Sequence, residues 1–171
     1  MLAREVIARL TVAGIEAMPA NRGLDHGAWV PFSLMWPAAD VPVVPVSLTR
    51  GDELEHLKLG AALAPLRDEG VLIIGSGAAT HPLAAAVPGV DKPAHWVEGF
   101  DNWLGDAVAA HDVPGLLGWK KAPEAKRTHP SDEHLMPLFV CLGAAGDQPR
   151  VHELHHSWTW HVLSMACWRW D

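Results

Sequence analysis

Four histidines are the residues of this sequence whose type and surroundings are best suited to chemistry. Each has glycine, proline or acidic neighbours, which is typical of loops. An imidazole titrates near neutral pH, so it can exchange a proton with a substrate, and its neutral form binds transition metals. The four are His26, His81, His129 and His134.

Two of these histidines flank the acidic loop HPSDEH at 129–134. Two imidazoles and two carboxylates so close together can bind a divalent metal, and this donor set with open positions suits non-haem iron(II). The spacing fits no standard zinc motif such as HExxH. Ser131 or Asp132 is also a natural N-cap for the apolar helix predicted at 135–142. From the residues alone, a metal role for His134 and a structural role for the loop both stay open.

His81 follows a short apolar segment, VLII at 71–74, which is typical of a strand buried on both faces in a parallel sheet. Gly75 and Gly77 are expected to adopt positive φ in a sharp exit turn. The histidine then lies at the carboxyl end of a strand, where open α/β sheets bind their ligands. The alternative is a strand, a turn and a surface histidine.

His26 lies in the glycine-flanked loop GLDHG at 23–27, before a helix predicted at 29–35. In one interpretation Asp25 is only the N-cap of that helix and His26 is a surface residue. In the other, the loop presents the imidazole to a pocket and the glycines clear space for a ligand. The spacing alone does not decide between them.

The elements that must position these residues alternate between strand and helix. A strand at 42–48, an amphipathic helix at 52–69 and the strand at 71–74 form a βαβ unit with a right-handed parallel crossover. His56 is expected on the solvated face of that helix. The remaining predicted elements are a helix at 96–110 with Asp101 facing outward and two terminal strands at 151–158 and 162–170. This order predicts an α/β fold with a mostly parallel or mixed central sheet flanked by helices.

Length and composition exclude several classes of protein. A chain of 171 residues fits a single domain with a proper core. A formal charge of −7 without a basic cluster argues against a nucleic-acid partner, and no apolar run is long enough to span a membrane. Cys141 and Cys167 are expected to be reduced core thiols in a cytoplasmic protein.

Several motifs in this order resemble one known family. They are GLDHGAW at 23–29, PVVPVSL at 42–48, VLIIGSGAATH at 71–81, FDNWL at 100–104, HPSDEHLMPLFVCLGAAG at 129–146 and LSM at 163–165. The chain resembles the LigB superfamily of class III extradiol ring-cleaving dioxygenases, in particular its 4,5-DOPA dioxygenase branch. The resemblance covers nearly all of residues 1–171 and implies a single LigB-like domain.

The resemblance implies a metal-dependent reaction of a catechol with dioxygen, with iron(II) as the metal and zinc as the alternative. His81 matches the family's general acid/base, which in some members is treated as a metal ligand. His134 matches the C-terminal metal ligand. His26 matches a pocket histidine that hydrogen-bonds substrate or oxygen, and His129 is a further candidate for a substrate or supporting contact.

The departures from the family pattern bear on activity. The family's first two metal-binding histidines, in loops that read like HGSP and HW, have no match before His26, and Pro82 stands where the family usually has asparagine. The chain is therefore expected to be the C-terminal two-thirds of such a domain, to hold metal weakly and to expose a strand edge that favours self-association. Two alternatives stay open. One is a non-catalytic metal- or partner-binding relic of the superfamily, and the other is a metal-dependent hydrolase with Glu133 as base.

Overall fold

The computed structural model describes residues 2–171, which form one α/β unit of helices with short antiparallel strands. Three 3₁₀ turns, at Ala64–Glu69, Leu83–Ala85 and Trp119–Lys121, connect the longer elements. The α-helices are α1 (Leu2–Val12), α2 (His26–Met35), α3 (Glu53–Leu63), α4 (His95–Ala109), α5 (Val113–Leu117), α6 (Ala125–Thr128) and α7 (Met136–Ala145). The strands are β1 (Val151–His155), β2 (Trp158–Thr159), β3 (Leu163–Ser164) and β4 (Cys167–Trp170).

Helices α3 and α7 cross in close backbone contact, and two glycines make the crossing possible. A Cβ on Gly60 would lie 1.9 Å from the carbonyl oxygen of Val140, and a Cβ on Gly143 would lie 1.9 Å from that of Leu57. Any larger side chain at either position would therefore push the helices apart. The crossing fixes α7, and with it the loop that precedes α7, relative to the start of α3.

The main core lies between α4, α7 and the segment that contains α5 and α6. Its members are aromatic and aliphatic side chains that are almost completely buried, as expected from the helical spacing of their residues. A smaller cluster joins α1 to α3 through Val6, Leu10, Leu59, Leu63 and Leu66. The largest members of the main core are Phe100, Leu104, Leu116, Trp119, Leu135, Phe139 and Leu142.

The C-terminal residues form two antiparallel pairs, β1 with β4 and β2 with β3. In the first pair Val151 is opposite Trp170, and a bulge separates Glu153 from His155. The two terminal strands predicted from the sequence are therefore confirmed, although a turn divides each of them into two shorter strands. A second hairpin at this place brings Ser164 against the segment that contains His81.

The predicted parallel pairing of 42–48 with 71–74 is not formed within residues 2–171. Neither segment takes part in a strand ladder there, although Val71 and Ile73 pack against the α1–α3 cluster. A continuous apolar run indicates that side chains are buried, but a strand also needs a neighbouring backbone as hydrogen-bond partner. The α/β class is observed, and the pairings that the described residues make are antiparallel.

Two polar residues expected at the surface are buried instead. His56 is enclosed in the first turn of α3, where its Nδ1 lies 2.7 Å from the carbonyl oxygen of Asp52. Asp101, expected on the outer face of α4, is buried against His156. In each case one polar atom has a partner, at the helix end for His56 and far along the chain for Asp101, which offsets part of the cost of burial.

No helix in the described part of the chain combines the length and the apolar character needed to cross a membrane.

Candidate functional site

The centre of the candidate site is a stacked pair of imidazoles. The ring centroids of His81 and His134 are 3.4 Å apart and the ring planes differ by 14°. Burial, together with the charge that His134 can carry, lowers the pKa of His81, although the nearby Glu133 carboxylate opposes this shift. The structure thus brings together the two histidines for which a metal or proton-transfer role is predicted.

The segment that carries His81 is held by hydrogen bonds on both sides. The amide N–H of Ala78 donates to the carbonyl oxygen of His134 (2.8 Å), and that of His81 donates to Thr128 (3.1 Å). On the other side, the buried hydroxyl of Thr80 donates to the carbonyl oxygen of Val162 (2.8 Å) and accepts from the amide of Ser164 (2.7 Å). His81 therefore occupies a position fixed by three separate parts of the chain.

The glycines of the GSG motif serve close approach, not a left-handed turn. A Cβ on Gly77 would lie 2.4 Å from the carbonyl oxygen of His134, and a Cβ on Gly75 would lie 2.6 Å from that of Pro137. Neither glycine has positive φ, so that expectation is wrong. The motif lets the chain run directly against the start of α7, which is how His81 reaches His134.

His129 lies beneath this pair, with 2% of its surface exposed. Its Nε2 is 2.9 Å from the carbonyl oxygen of Ala79, which only accepts, so Nε2 carries the proton and donates it. The rings of Phe100 and Trp119 pack edge-on against the imidazole, with centroids at 5.2 and 5.6 Å. Burial lowers the pKa of His129 to about 4, so the ring is neutral at neutral pH. A substrate contact of His129 stays a prediction; in this structure it supports the His81 segment.

The acidic residues of the loop do not cap α7. Ser131 donates to the carboxylate of Glu133 (2.8 Å), which lies 3.2 Å from Nδ1 of His134. The pKa of Glu133 is lowered most by a hydrogen bond that its carboxylate accepts from its own backbone amide, and next by the hydrogen bond from Ser131. Asp132 instead accepts from Lys120 (2.9 Å), and Leu135 occupies the N-cap position of α7 without a side-chain capping hydrogen bond. The predicted cap is therefore wrong, because both candidate side chains have other partners.

His26 is the first residue of α2 and is exposed. A Cβ on its neighbour Gly27 would lie 3.7 Å from the hydroxyl oxygen of Ser76, so the start of α2 lies beside the GSG segment. Asp25 occupies the N-cap position, but its side chain makes no capping hydrogen bond. Within residues 2–171, no hydrogen bond or ring stacking joins His26 to the other three histidines. The structure places His26 near the site without fixing its ring.

Imidazole is a suitable ligand for iron(II) or zinc, but the described residues do not complete a metal site. No group of three or more histidine, cysteine or acidic side chains is arranged there to hold an ion. The rings of His81 and His134 are nearly parallel, so their in-plane lone pairs do not converge on one point. A facial non-haem iron site takes three protein ligands. The donor type fits such a metal, whereas the number of donors does not.

Two buried carboxylates beside the site were not indicated by sequence patterns. Glu53 accepts from the indole N–H of Trp119 (2.6 Å) and pairs with Lys120 (2.7 Å). Asp101 accepts from Nε2 of His156 at 2.7 Å. Each pair joins residues more than fifty positions apart in the chain. These pairs could be predicted only from knowledge of which distant residues lie close together in the fold. Nothing in the local sequence distinguishes Glu53 or Asp101 from an ordinary surface carboxylate.

Sequence comparisons match this chain to one protein family over most of its length. A family model described as the catalytic LigB subunit of aromatic ring-opening dioxygenase matches residues 1–166. The chain is 46% identical over 151 residues to a 4,5-DOPA dioxygenase extradiol of Beta vulgaris, covering 87% of this chain and 56% of that protein. It is 41% identical over 160 residues to the protein of the same name from Mirabilis jalapa, covering 92% and 60%. The chain thus spans somewhat more than half the length of these relatives.

A solved structure is similar to this chain in fold. The crystal structure of an uncharacterized protein from Escherichia coli K12 is similar, with a TM-score of 0.86 and 26% sequence identity. The match covers 96% of this chain and 70% of that one. The predicted α/β fold of LigB type is thereby confirmed.

Proposed function

Because the chain belongs to the family of the catalytic LigB subunit of aromatic ring-opening dioxygenases, we propose that it acts in the oxygen-dependent opening of a catechol ring, with a DOPA-like catechol as substrate. Relatives at 39–46% identity carry the name 4,5-DOPA dioxygenase extradiol, which supports this substrate class. The observation that carries the proposal is the stacked pair of His81 and His134, held in one place by distant parts of the chain.

We assign different roles to the two stacked rings. Since their lone pairs do not converge, one ring can face a metal while the other faces the substrate. We propose His134 as the metal ligand that this chain contributes and His81 as the group that accepts a proton from a catechol hydroxyl and returns it later. A neutral imidazole is suited to both directions of transfer near neutral pH.

The proposed cofactor is iron(II), with zinc as the alternative. When bound, such a metal supplies a Lewis acid for the catechol oxygens and a redox centre for dioxygen. His26, exposed at the start of α2 beside Ser76, is proposed to hydrogen-bond the substrate or oxygen from the side opposite α7. His129 is proposed to keep the His81 segment in place, because its ring is buried and donates to Ala79.

The remaining aspects of the proposal concern partners and location. A small-molecule substrate with dioxygen is favoured over nucleic acid, because the formal charge is −7. A cytoplasmic location and self-association through an exposed strand edge stay predictions.

A second candidate function is binding without catalysis. It is favoured by one observation, namely that the described residues offer two candidate imidazole ligands but no third. A chain with an incomplete ligand set would bind a metal ion or a partner without turning over a catechol. The two candidates differ in whether oxygen is consumed.

The test is anaerobic iron(II) binding followed by oxygen uptake with DOPA, for the unaltered chain and three variants. His134→Ala should lose the iron, whereas His81→Gln should keep it and lose oxygen uptake. His95→Gln is the matched control, since His95 is fully exposed on α4. Equal loss of iron in the first two variants would overturn the division of roles. Iron binding without oxygen uptake in the unaltered chain would favour the binding function.

A further inference from the structure

Glu53 is a buried carboxylate that touches none of the four candidate histidines. It lies in the first turn of α3, and only about a tenth of its side chain is exposed. Its Oε1 accepts from two donors on the neighbouring 3₁₀ turn, the indole N–H of Trp119 at 2.6 Å and the ammonium of Lys120 at 2.7 Å. One oxygen thus fixes two consecutive residues, and each of these contacts a different part of the candidate site.

The first branch runs through Trp119 to His129. Donation to Glu53 fixes the rotation of the indole, which packs perpendicular to the imidazole of His129 at 5.6 Å between centroids. His129 in turn donates to the carbonyl oxygen of Ala79, two residues before His81. The orientation of the indole therefore limits the positions that the His129 ring can take, and with them the hydrogen bond from His129 to Ala79.

The second branch runs through Lys120 to the loop before α7. The ammonium of Lys120 donates to Asp132 at 2.9 Å while it also pairs with Glu53. The carbonyl oxygen of Asp132 accepts from the amide of Leu135, which closes the turn that contains His134. Lys120 therefore ties this turn to the start of α3.

We propose that Glu53 is a positioning residue for the stacked imidazoles. Through Lys120 it fixes the turn that carries His134, and through Trp119 it fixes the ring against which His129 holds the segment of His81. The inference rests on the proposed function for its role in turnover. The α3–α7 crossing at Gly60 supports it, because that contact sets the start of α3 and the loop before α7 at a constant distance.

Stability alone is a poor account of this arrangement. The Glu53–Lys120 ion pair should contribute little net stability, because the side chain of Lys120 is 56% exposed and solvent screens its charge. Its geometry, however, is directional, and Lys120 joins two carboxylates on separate elements. The consequence of removing Lys120 should therefore be local to the His81–His134 contact.

The experiment measures amide hydrogen exchange residue by residue by NMR in the variant Lys120→Met. The amides to follow are those of Ala78 and His81, which donate to His134 and Thr128. Their exchange should become about tenfold faster, while the amides of α1 keep their rates. Lys120→Arg, which retains the charge, should restore slow exchange. Lys121→Met is the matched control, because it removes a lysine from the same turn.

A second variant keeps the proposal testable if Lys120→Met does not fold. Trp119→Phe retains a buried ring but removes the indole N–H that Glu53 accepts, so exchange at His81 should again be faster. Identical exchange at Ala78 and His81 in Lys120→Met and Lys121→Met would overturn the proposal. Equal acceleration of all amides would also overturn it, because a purely stabilising role predicts that pattern.

Turnover gives a separate readout. If the unaltered chain consumes oxygen with DOPA, Lys120→Met should lower kcat about tenfold and change KM little, as for residues that orient a ligand from outside the site. Equal kcat in Lys120→Met and Lys121→Met would contradict the role in turnover. If the unaltered chain consumes no oxygen, the proposed function fails, and the exchange rates alone decide whether Glu53 positions the imidazoles.

Discussion

Around His81, each residue from Ala78 to His81 makes a hydrogen bond to a distant part of the chain, whereas between residues 11 and 52 no residue is buried. We call the first part the His81 region (residues 78–81 and 128–135) and the second the α2 region (residues 11–52). The backbone hydrogen bonds of the α2 region, as far as the structure describes it, join only near neighbours in the sequence.

The α2 region is the more apolar of the two in sequence, so composition alone would predict the opposite difference in burial. Helix α2 (HGAWVPFSLM) has no charged side chain, yet none of its residues is buried, and Leu34 is 81% exposed. Phe32 stacks on Trp36, the residue that follows the helix, with ring centroids 5.5 Å apart. The difference lies in partners. The His81 region is hydrogen-bonded to distant parts of the chain, whereas the hydrogen bonds described for α2 stay within residues 25–36. We therefore expect local opening to begin in the α2 region.

The largest contrast is expected from truncating one phenylalanine of α7, against which the His81 region lies, and one of the α2 region. Phe139 is completely buried in the main core. Phe139→Ala should lower the free energy of unfolding by about 4 kcal/mol, because it removes buried apolar surface and also leaves a cavity. Phe32→Ala, in α2, should cost less than about 1 kcal/mol. Chemical denaturation monitored by tryptophan fluorescence measures both. Equal losses would show that α2 is packed as tightly as the core.

The His81 region should contribute a pH dependence to the free energy of unfolding. The pKa of His129 is about 4 in the folded protein and 6.5 in the unfolded chain, because burial disfavours the charged ring. Well above pH 6.5 the ring is neutral in both the folded and the unfolded state, so His129 adds no pH dependence there. As the pH falls from 6.5 to 4, the unfolded chain binds a proton first, and the free energy of unfolding should fall by up to about 3 kcal/mol.

The measurement is denaturant unfolding at a series of pH values. His129→Gln keeps an N–H that can donate to Ala79 but removes the titrating ring, so the slope between pH 4 and 6.5 should become shallower. A smaller slope should persist, because the pKa of His81 is also lowered. His26→Gln, at the exposed first residue of α2, serves as the control for loss of a histidine outside the His81 region and should change the slope less than His129→Gln does. An unchanged slope in His129→Gln would contradict the assignment.

Glycine-to-alanine changes at Gly77, next to the His81 region, and at Gly27, in the α2 region, should change the free energy of unfolding in opposite directions. Gly77→Ala places a Cβ 2.4 Å from a backbone carbonyl oxygen of His134, which cannot move without shifting α7, so the cost should be about 2 kcal/mol. Gly27 lies in the first turn of α2, and a Cβ there would meet only ordinary contacts, with Asp25 Oδ1 at 3.4 Å and Ser76 Oγ at 3.7 Å. Gly27→Ala should therefore stabilise the protein slightly. Thermal unfolding of the two variants in the same buffer provides the comparison. A neutral Gly77→Ala would mean that the GSG segment can yield.

The sequence was sufficient where local pattern decides the structure. Helical spacing predicted the helix at 96–110, and the structure has it at His95–Ala109. Alternating residues predicted the terminal strands, which form as β1 to β4. The motifs also selected His81 and His134, which the structure stacks on each other. These features depend on neighbours in the sequence or on a family pattern that spans the chain.

The sequence was insufficient where distant partners decide. The pattern at 71–74 indicated a strand, but no neighbouring strand pairs with it in the described chain. The role of Gly77 is close approach to His134, a contact that no local rule contains. Asp101 was expected outside, because its partner His156 could not be inferred from helical spacing. A polar group on a helix can be buried where a residue distant in the sequence pairs with it, and helical spacing does not show that partner.

The smallest contrast is expected at the two aspartates that precede helices. The Asp52 side chain accepts from the amide of Glu55 at 3.0 Å and caps α3, so Asp52→Ala should lower the free energy of unfolding by about 1 kcal/mol. Asp25 occupies the same position before α2 but makes no capping hydrogen bond, and its ion pair with Arg22 is exposed. Asp25→Ala should therefore be nearly neutral. If denaturant unfolding shows a loss at Asp25 as large as that at Asp52, the start of α2 is held as firmly as the start of α3, and the expectation that local opening begins around α2 is wrong.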